Sequence, residues 1–224
     1  KISADLIDAF ANDGRVEVLS QFSVKLPLTV IADQLGVPRS DLSKFKRWTD
    51  GFVAQLGGMA SPEDALEAAR RIVEFQHYFA DRLEEARQAP GEDIISDLGR
   101  ARVEGEAPLD VTESLSILQQ LLVAGNETTA DAIAEGCWLL AQNPDQQAAA
   151  RLDPALIPNL VEEVLRLSSP TGNMWRVTTV ATVLGGVEIP AGAFVLVSFA
   201  SANRDESQFE DPDRFDIERE NARD

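Results

Sequence analysis

Apolar residues recur at helical spacing through the first 170 or so positions, and each periodic run ends at Gly, Pro or a polar cluster. Ala4 to Ala11 is the first run, closed by Asn12-Asp13-Gly14. The pattern resumes at Val16, passes Pro27 and continues to Gly36. After Val37-Pro38, Ser40 or Asp41 caps a helix that passes through Phe45 and Trp48 to Gly57-Gly58. Ser61-Pro62-Glu63 opens the next helix, because proline at the first helical position lacks only an N–H that has no partner there anyway. That helix is expected to reach about Gln88. Pro90-Gly91 then breaks the chain, a short helix follows around Ile94 to Leu98, and a polar loop from Arg100 to Pro108 leads to Asp110.

Asp110 with Glu113 makes a capping-box-like start for a helix that ends at Asn143-Pro144. Such a helix has about 32 residues and a length of roughly 48 Å, enough to cross a whole domain, so its middle is expected at the domain centre. A short helix follows, and Pro154 to Leu167 is another, stopped by Ser168-Ser169-Pro170. Beyond it β-branched residues become dense, in Val177-Thr178-Thr179-Val180, Thr182-Val183-Leu184, Val187-Glu188-Ile189 and Phe194-Val195-Leu196-Val197. Gly185-Gly186 is a hairpin signal, since both residues can take positive φ. Asp211-Pro212-Asp213-Arg214-Phe215 reads as irregular chain. The fold class is mainly α, with a long central helix and a small β region near the C-terminal end.

Composition narrows the function. A net charge of −18 disfavours a nucleic-acid backbone, which needs clustered Lys and Arg, and disfavours anionic membrane surfaces. No run of about 18 apolar residues is present and Lys1 to Asp5 has no signal-peptide pattern, so no membrane span and a cytoplasmic location are expected. One cysteine, Cys137, excludes an intramolecular disulfide and a cysteine-rich metal site within these residues; one histidine, His77, excludes multi-histidine sites. Both sit on helical patterns and read as core or boundary residues rather than ligands.

The candidate chemistry lies at Ala124-Gly125-Asn126-Glu127-Thr128-Thr129, in the middle of the long helix. Glycine there costs about 1 kcal/mol relative to alanine, and threonine hydroxyls compete for backbone groups. Either Gly125 opens a groove for a small ligand, with Thr128 donating a hydrogen bond and Glu127 relaying protons, or the polar residues occupy a solvated face. Glu127, Asp131 and Glu135 form a row at i, i+4 and i+8; without histidines nearby, Asp131 and Glu135 are read as facing water. Glu163 and Arg166 stand at i and i+3, either as a surface pair or, given Leu160, Val161, Val164, Leu165 and Leu167 around them, as a buried pair. A buried arginine needs more acceptors than one carboxylate provides. Arg176, Arg204 and Arg214 are unremarkable singly.

Taken in order, Ala-Gly-Asn-Glu-Thr-Thr, Glu163-Val164-Leu165-Arg166, Arg176 with the hairpin from Gly185 to Gly192, Ala202-Asn203-Arg204-Asp205 and Asp211 to Phe215 resemble the cytochrome P450 family, most of all its soluble bacterial members. Leu26 to Ala32 and Leu35-Gly36-Val37-Pro38 resemble its earlier helices, so the likeness covers essentially the whole chain as one partial domain. It is helical over about 1–170, β over about 174–198 and irregular over about 199–224. The resemblance implies haem b held between the long helix and a cysteine loop, and insertion of one atom of O2 into a small organic substrate. Electrons would come from NAD(P)H through a ferredoxin-type donor and its reductase. It further implies that Ala124 and Gly125 flank the oxygen site, that Thr128 hydrogen-bonds dioxygen and that Glu127 feeds protons. Arg176 would contact a haem propionate, and Leu121 with Thr171, Gly172, Asn173 and Met174 would border the substrate pocket. Glu163 and Arg166 would form a buried structural pair, with Arg214 as the third charge.

One departure from the family pattern stands out. The iron-ligating cysteine would lie beyond Asp224, Cys137 is on the oxygen-site helix and cannot replace it, and a helix that adds propionate contacts would precede Lys1. No metal ligand is therefore expected within these residues, the 224-residue chain alone is expected to be inactive, and both its ends are expected to be cuts in a longer protein. The competing reading is a truncated or degenerate helical binding protein of the same fold, without oxygen chemistry. The codons after Asp224 separate the two.

Overall fold

The computed structural model describes residues 1–56, 61–102 and 107–223. They fall into two compact units, Lys1–Ala130 and Asp131–Asp224. The first holds α1 (Ile2–Asp8), a π-helical turn (Leu19–Ser23), α2 (Lys25–Gln34), α3 (Leu42–Leu56), α4 (Pro62–Gln88), α5 (Ile94–Arg100) and the beginning of α6 (Val111–Gln142). In the second are the rest of α6, α7 (Pro144–Leu152), α8 (Ile157–Ser168), four short strands and α9 (Phe199–Ala202). The Gly57-Gly58 stop and positions 103–106 of the polar loop lie outside the described residues.

Local chemistry sets these boundaries. Ser61 Oγ accepts the Asp64 N–H at 3.1 Å, capping α4 one residue before Pro62. The Asp110 N–H donates to Glu113 Oε2 at 2.9 Å while the Glu113 N–H donates to Asp110 Oδ1 at 2.8 Å, the reciprocal bonding of a capping box at the head of α6. Pro27 does not end a helix. It is the third residue of α2, inside the first turn, where its missing N–H costs no intrahelical bond.

In the first unit the periodic positions meet in one core. Phe75, Phe79 and Leu83 of α4 pack with Phe45, Trp48 and Phe52 of α3, Leu28, Ala32 and Leu35 at α2, and Leu118 and Leu122 of α6. The rings are tilted or edge-to-face, for example Phe52 on Phe75 with centroids 5.1 Å apart. At its rim Tyr78 of α4 donates its hydroxyl to Asp41 Oδ2 at 2.7 Å, beside Lys44 and Arg82, whose charged groups lie 5.3 and 5.4 Å from the phenol ring centre.

The second unit buries Val164 and Leu167 of α8 with Phe215 and Ile217, flanked by Leu139, Leu140 and Leu160. Its strands form two antiparallel pairs. β1 (Asn173–Val177) runs against β4 (Phe194–Ser198) with Trp175 opposite Leu196, and β2 (Thr182–Leu184) against β3 (Val187–Ile189) with Leu184 opposite Val187. Gly185 and Gly186 join the latter pair at φ 56° and 81°, the doubly left-handed turn that matches strand twist. No helix among the described residues is long and apolar enough to cross a membrane.

Candidate active site

The helix α6 carries three different faces through the Ala124 to Thr129 motif. Ser114, Leu118, Leu122, Asn126 and Ala130, four residues apart in turn, form a buried row. Ile117, Leu121 and Ala124 are exposed, and Thr128 and Glu127 are half-buried. Thr128 Oγ1 donates to the Ala124 carbonyl at 2.8 Å, so the hydroxyl shares an acceptor that belongs to the helix ladder. Leu121, Ala124 and Thr128 therefore make an open stripe with a small side chain at its centre and a hydroxyl at its end.

Gly125 does not face that stripe. A Cβ on it would stand 3.1 Å from Ile31 Cδ1, so the missing side chain admits α2. This corrects the reading in which Gly125 opens a groove for a ligand: the space is filled by Ile31, and the open small residue is Ala124. Asp131 and Glu135 are exposed, as read from their spacing. Cys137 and His77 are exposed too, so neither takes the core or boundary position read from its helical pattern. Among the described residues no group of three His, Cys, Asp or Glu gathers as a metal-ligand set.

In the second unit the charged residues of α8 build a buried node. Arg166 Nε and Nη2 donate to Glu163 Oε2 and Oε1 at 2.7 and 2.9 Å, and the two side chains are 1% and 0% exposed. The third charge is Arg219, not Arg214. Arg219 Nε donates to Glu163 Oε1 at 3.2 Å and its side chain is 7% exposed, whereas the Arg214 side chain is 62% exposed and bonds Asp216 Oδ2 at 2.5 Å. Arg214 takes part through its carbonyl, which accepts from Arg166 Nη2 at 3.4 Å and Arg219 Nη2 at 3.0 Å.

Two buried arginines against one glutamate leave one positive charge over. Backbone carbonyls meet it: Asn203, Pro212 and Arg214 for Arg166, and Glu210, Asp211 and Arg214 for Arg219. The Phe209 ring lies under the Arg166 guanidinium at 5.0 Å. Ser169 ends α8 in the left-handed region at φ 43°, donates to the Arg166 carbonyl at 3.0 Å and accepts from Asn203 Nδ2 at 2.9 Å. The irregular segment from Asn203 to Arg219 is thus fixed by side chains rather than by a ladder. One signal in the sequence marks Arg219: Phe215, Ile217 and Arg219 alternate with polar residues and are buried together.

Thr171 to Met174 follow this cap and lead into β1. Thr171, Asn173 and Met174 are exposed, and the Gly172 carbonyl accepts from the Ala200 N–H at 3.0 Å. Arg176 in β1 is exposed, and its side chain donates Nη1 to the Trp175 carbonyl at 2.9 Å.

Comparison with known proteins agrees with this architecture. The cytochrome P450 family model matches residues 155–221, the stretch that contains the arginine node and both strand pairs. Cytochrome P450 107B1 of Saccharopolyspora erythraea is 39% identical over 221 residues, 98% of this chain and 53% of that protein. The cytochrome P450 monooxygenase PikC of Streptomyces venezuelae is 40% identical over 220 residues, 97% of this chain and 51% of PikC. The structure of CYP109Q5 from Chondromyces apiculatus superposes with a TM-score of 0.84 at 43% identity, covering 98% of this chain and 53% of that one. The chain belongs to the cytochrome P450 family, and its mainly helical structure is a partial P450 fold. It spans about half the length of the curated relatives it matches.

Proposed function

We propose that the full-length protein is a haem-thiolate monooxygenase that inserts one atom of O2 into a small organic substrate. The observation that carries this reading is the open stripe of α6, where the Thr128 hydroxyl is held on the Ala124 carbonyl at 2.8 Å beside the exposed Leu121. A flat macrocycle needs a helix face with a small residue at its centre, and Ala124 supplies it. When bound, haem with a thiolate ligand supplies the activation of O2.

The chain's own residues then have separate tasks. Thr128 Oγ1 keeps lone pairs free to accept while its proton rests on the Ala124 carbonyl, so a small rotation lets it donate to a group on the stripe. Glu127, one residue back and half-buried, is read as the carboxylate that passes protons toward it. Arg176 keeps guanidinium N–H groups available for a propionate carboxylate. Leu121 and, separately, Thr171 to Met174 are read as substrate-pocket residues. Electrons from NAD(P)H through a ferredoxin-type donor and its reductase, and a cytoplasmic location, belong to the same proposal.

The reduced, CO-treated absorption spectrum of the full-length protein tests it. A Soret band at the thiolate position is expected; no such band overturns the monooxygenase reading and leaves a helical binding protein of the same fold.

A further inference from the structure

Asn126 occupies a core position. It stands in the buried row with Leu118, Leu122 and Ala130, is 1% exposed, and yet is the polar amide at a place where the row calls for leucine or alanine. Its Nδ2 lies 3.5 Å from Thr49 Oγ1 of α3, across 77 residues of sequence. Thr49 Oγ1, itself fully buried, already donates to the Phe45 carbonyl at 3.0 Å, so its lone pairs are what Asn126 meets. Asn126 Oδ1 has no hydrogen-bond partner among the described residues. A buried amide satisfied on one side only weakens a core, so stability does not account for its presence.

Geometry gives it another use. At about 100° per residue, Asn126 and Thr128 are roughly 200° apart around the helix, which puts Asn126 on the back of the turn whose front carries Thr128 and Ala124. One residue away, Gly125 seats the same turn against Ile31 of α2. Apolar rows slide and rotate at little cost, whereas a lone buried amide with one specific partner selects a single register. We infer that Asn126 is a positioning residue: paired with Thr49, it pins the rotation of α6 on α3 and so keeps the Thr128 hydroxyl and the Ala124 side chain turned to the open stripe. It touches no reacting group itself. The consequence for catalysis rests on the monooxygenase reading; the pinning does not.

Asn126→Leu and Thr49→Val remove the pair from either end in the full-length protein, and their combination tests whether the two act as one. Backbone hydrogen exchange at 124–130 is expected to rise about two- to threefold in each single variant, the equilibrium factor of one long hydrogen bond, and no further in the double variant. The denaturation midpoint stays level or rises in Asn126→Leu, since a leucine completes the apolar row. Product formed per electron consumed is expected to fall in the same variants at unchanged haem content. Exchange at 124–130 that is unchanged, or that merely follows a lowered midpoint, overturns the pin, as do fully additive effects of the two changes. Thr49→Val alone decides the matter if Asn126→Leu does not fold. A missing thiolate Soret band in the unaltered protein would instead remove the monooxygenase reading and leave the exchange result standing.

Discussion

Arg219 Nε donates to Glu163 Oε1 at 3.2 Å, on the same oxygen that receives Arg166 Nη2 at 2.9 Å and the Asp216 N–H at 3.0 Å. Arg219 rather than Arg214 therefore completes the charge node, and the two should separate sharply on substitution. Arg219→Ala abandons a buried carboxylate contact and three carbonyl bonds, and should cost about 3 to 5 kcal/mol. Arg214→Ala removes only an exposed pair and keeps the carbonyl, so it should stay within about 1 kcal/mol of the parent. Urea unfolding midpoints of the two variants check this.

Glu163→Gln should be as severe as Arg219→Ala. The substitution preserves shape, but it removes the one negative charge among two buried guanidinium groups and turns an amide N–H toward one of them. A loss of about 3 to 5 kcal/mol is expected, together with low haem content in the full-length protein. Unchanged thermal unfolding would mean that the backbone carbonyls alone suffice.

Tyr78 is the one tyrosine of the chain, so its ultraviolet titration can be read without overlap. Burial and the Asp41 carboxylate push its hydroxyl up to about 12 from an ordinary 10.0. The folded state thus holds the proton more tightly than the unfolded chain, and this contribution to stability is complete below pH 10 and lost as pH rises toward 12. Asp41 is held below its usual range by the Tyr78 hydroxyl and Lys44, so its contribution is present at neutral pH and is lost in acid as pH falls from the ordinary carboxylate value through the lowered one. In Tyr78→Phe the part of the alkaline decline that belongs to Tyr78 should vanish, as denaturation midpoints measured across that range will reveal.

Gly125→Ala sets helix propensity against crowding. Alanine gains about 1 kcal/mol in a helix interior, while its Cβ meets Ile31 Cδ1 at 3.1 Å, the end of a side chain able to give way. A small net change is expected. With Ile31→Val, which deletes that methyl group, the same substitution should become stabilising by up to about 1 kcal/mol relative to Ile31→Val alone, and a double-mutant cycle reads the difference.

Thr128→Ala removes the hydroxyl from the open stripe and relaxes its bond to Ala124. In the full-length protein, product formation should drop on the order of 10²-fold while electron consumption continues. Equal product per electron in the variant and the parent would assign the proton path elsewhere.

Much of this is legible in the sequence alone, because it is written in short-range chemistry. Asp110 with Glu113, Ser61 with Pro62, and Gly185 with Gly186 each specify a boundary through bonds that span a few residues. The resemblance to P450s likewise rested on ordered short motifs. What escaped was information carried by tertiary contact. Arg214 and Arg219 are both arginines in irregular chain, and only the long-range path of residues 203–219 decides which guanidinium turns inward. Gly125 looked like a ligand groove because its partner, Ile31, is 94 positions earlier, about as distant in sequence as Thr49 is from Asn126. The row Leu118, Leu122, Asn126 did carry a signal, a polar residue on an apolar stripe, but periodicity alone does not name what it meets.

The node around Arg166 has a consequence for the order in which the chain can fold. Its guanidinium sits on α8, but its carbonyl acceptors and the second arginine come later, with Arg219 lying 56 residues after Glu163. At a synthesis rate of about 5 to 20 residues per second, roughly 3 to 11 seconds separate Glu163 from Arg219 on the ribosome. During that interval α8 lacks the acceptors and the second guanidinium that its buried charges need, so the node of the second unit cannot close until Arg219 has followed Glu163 out of the ribosome.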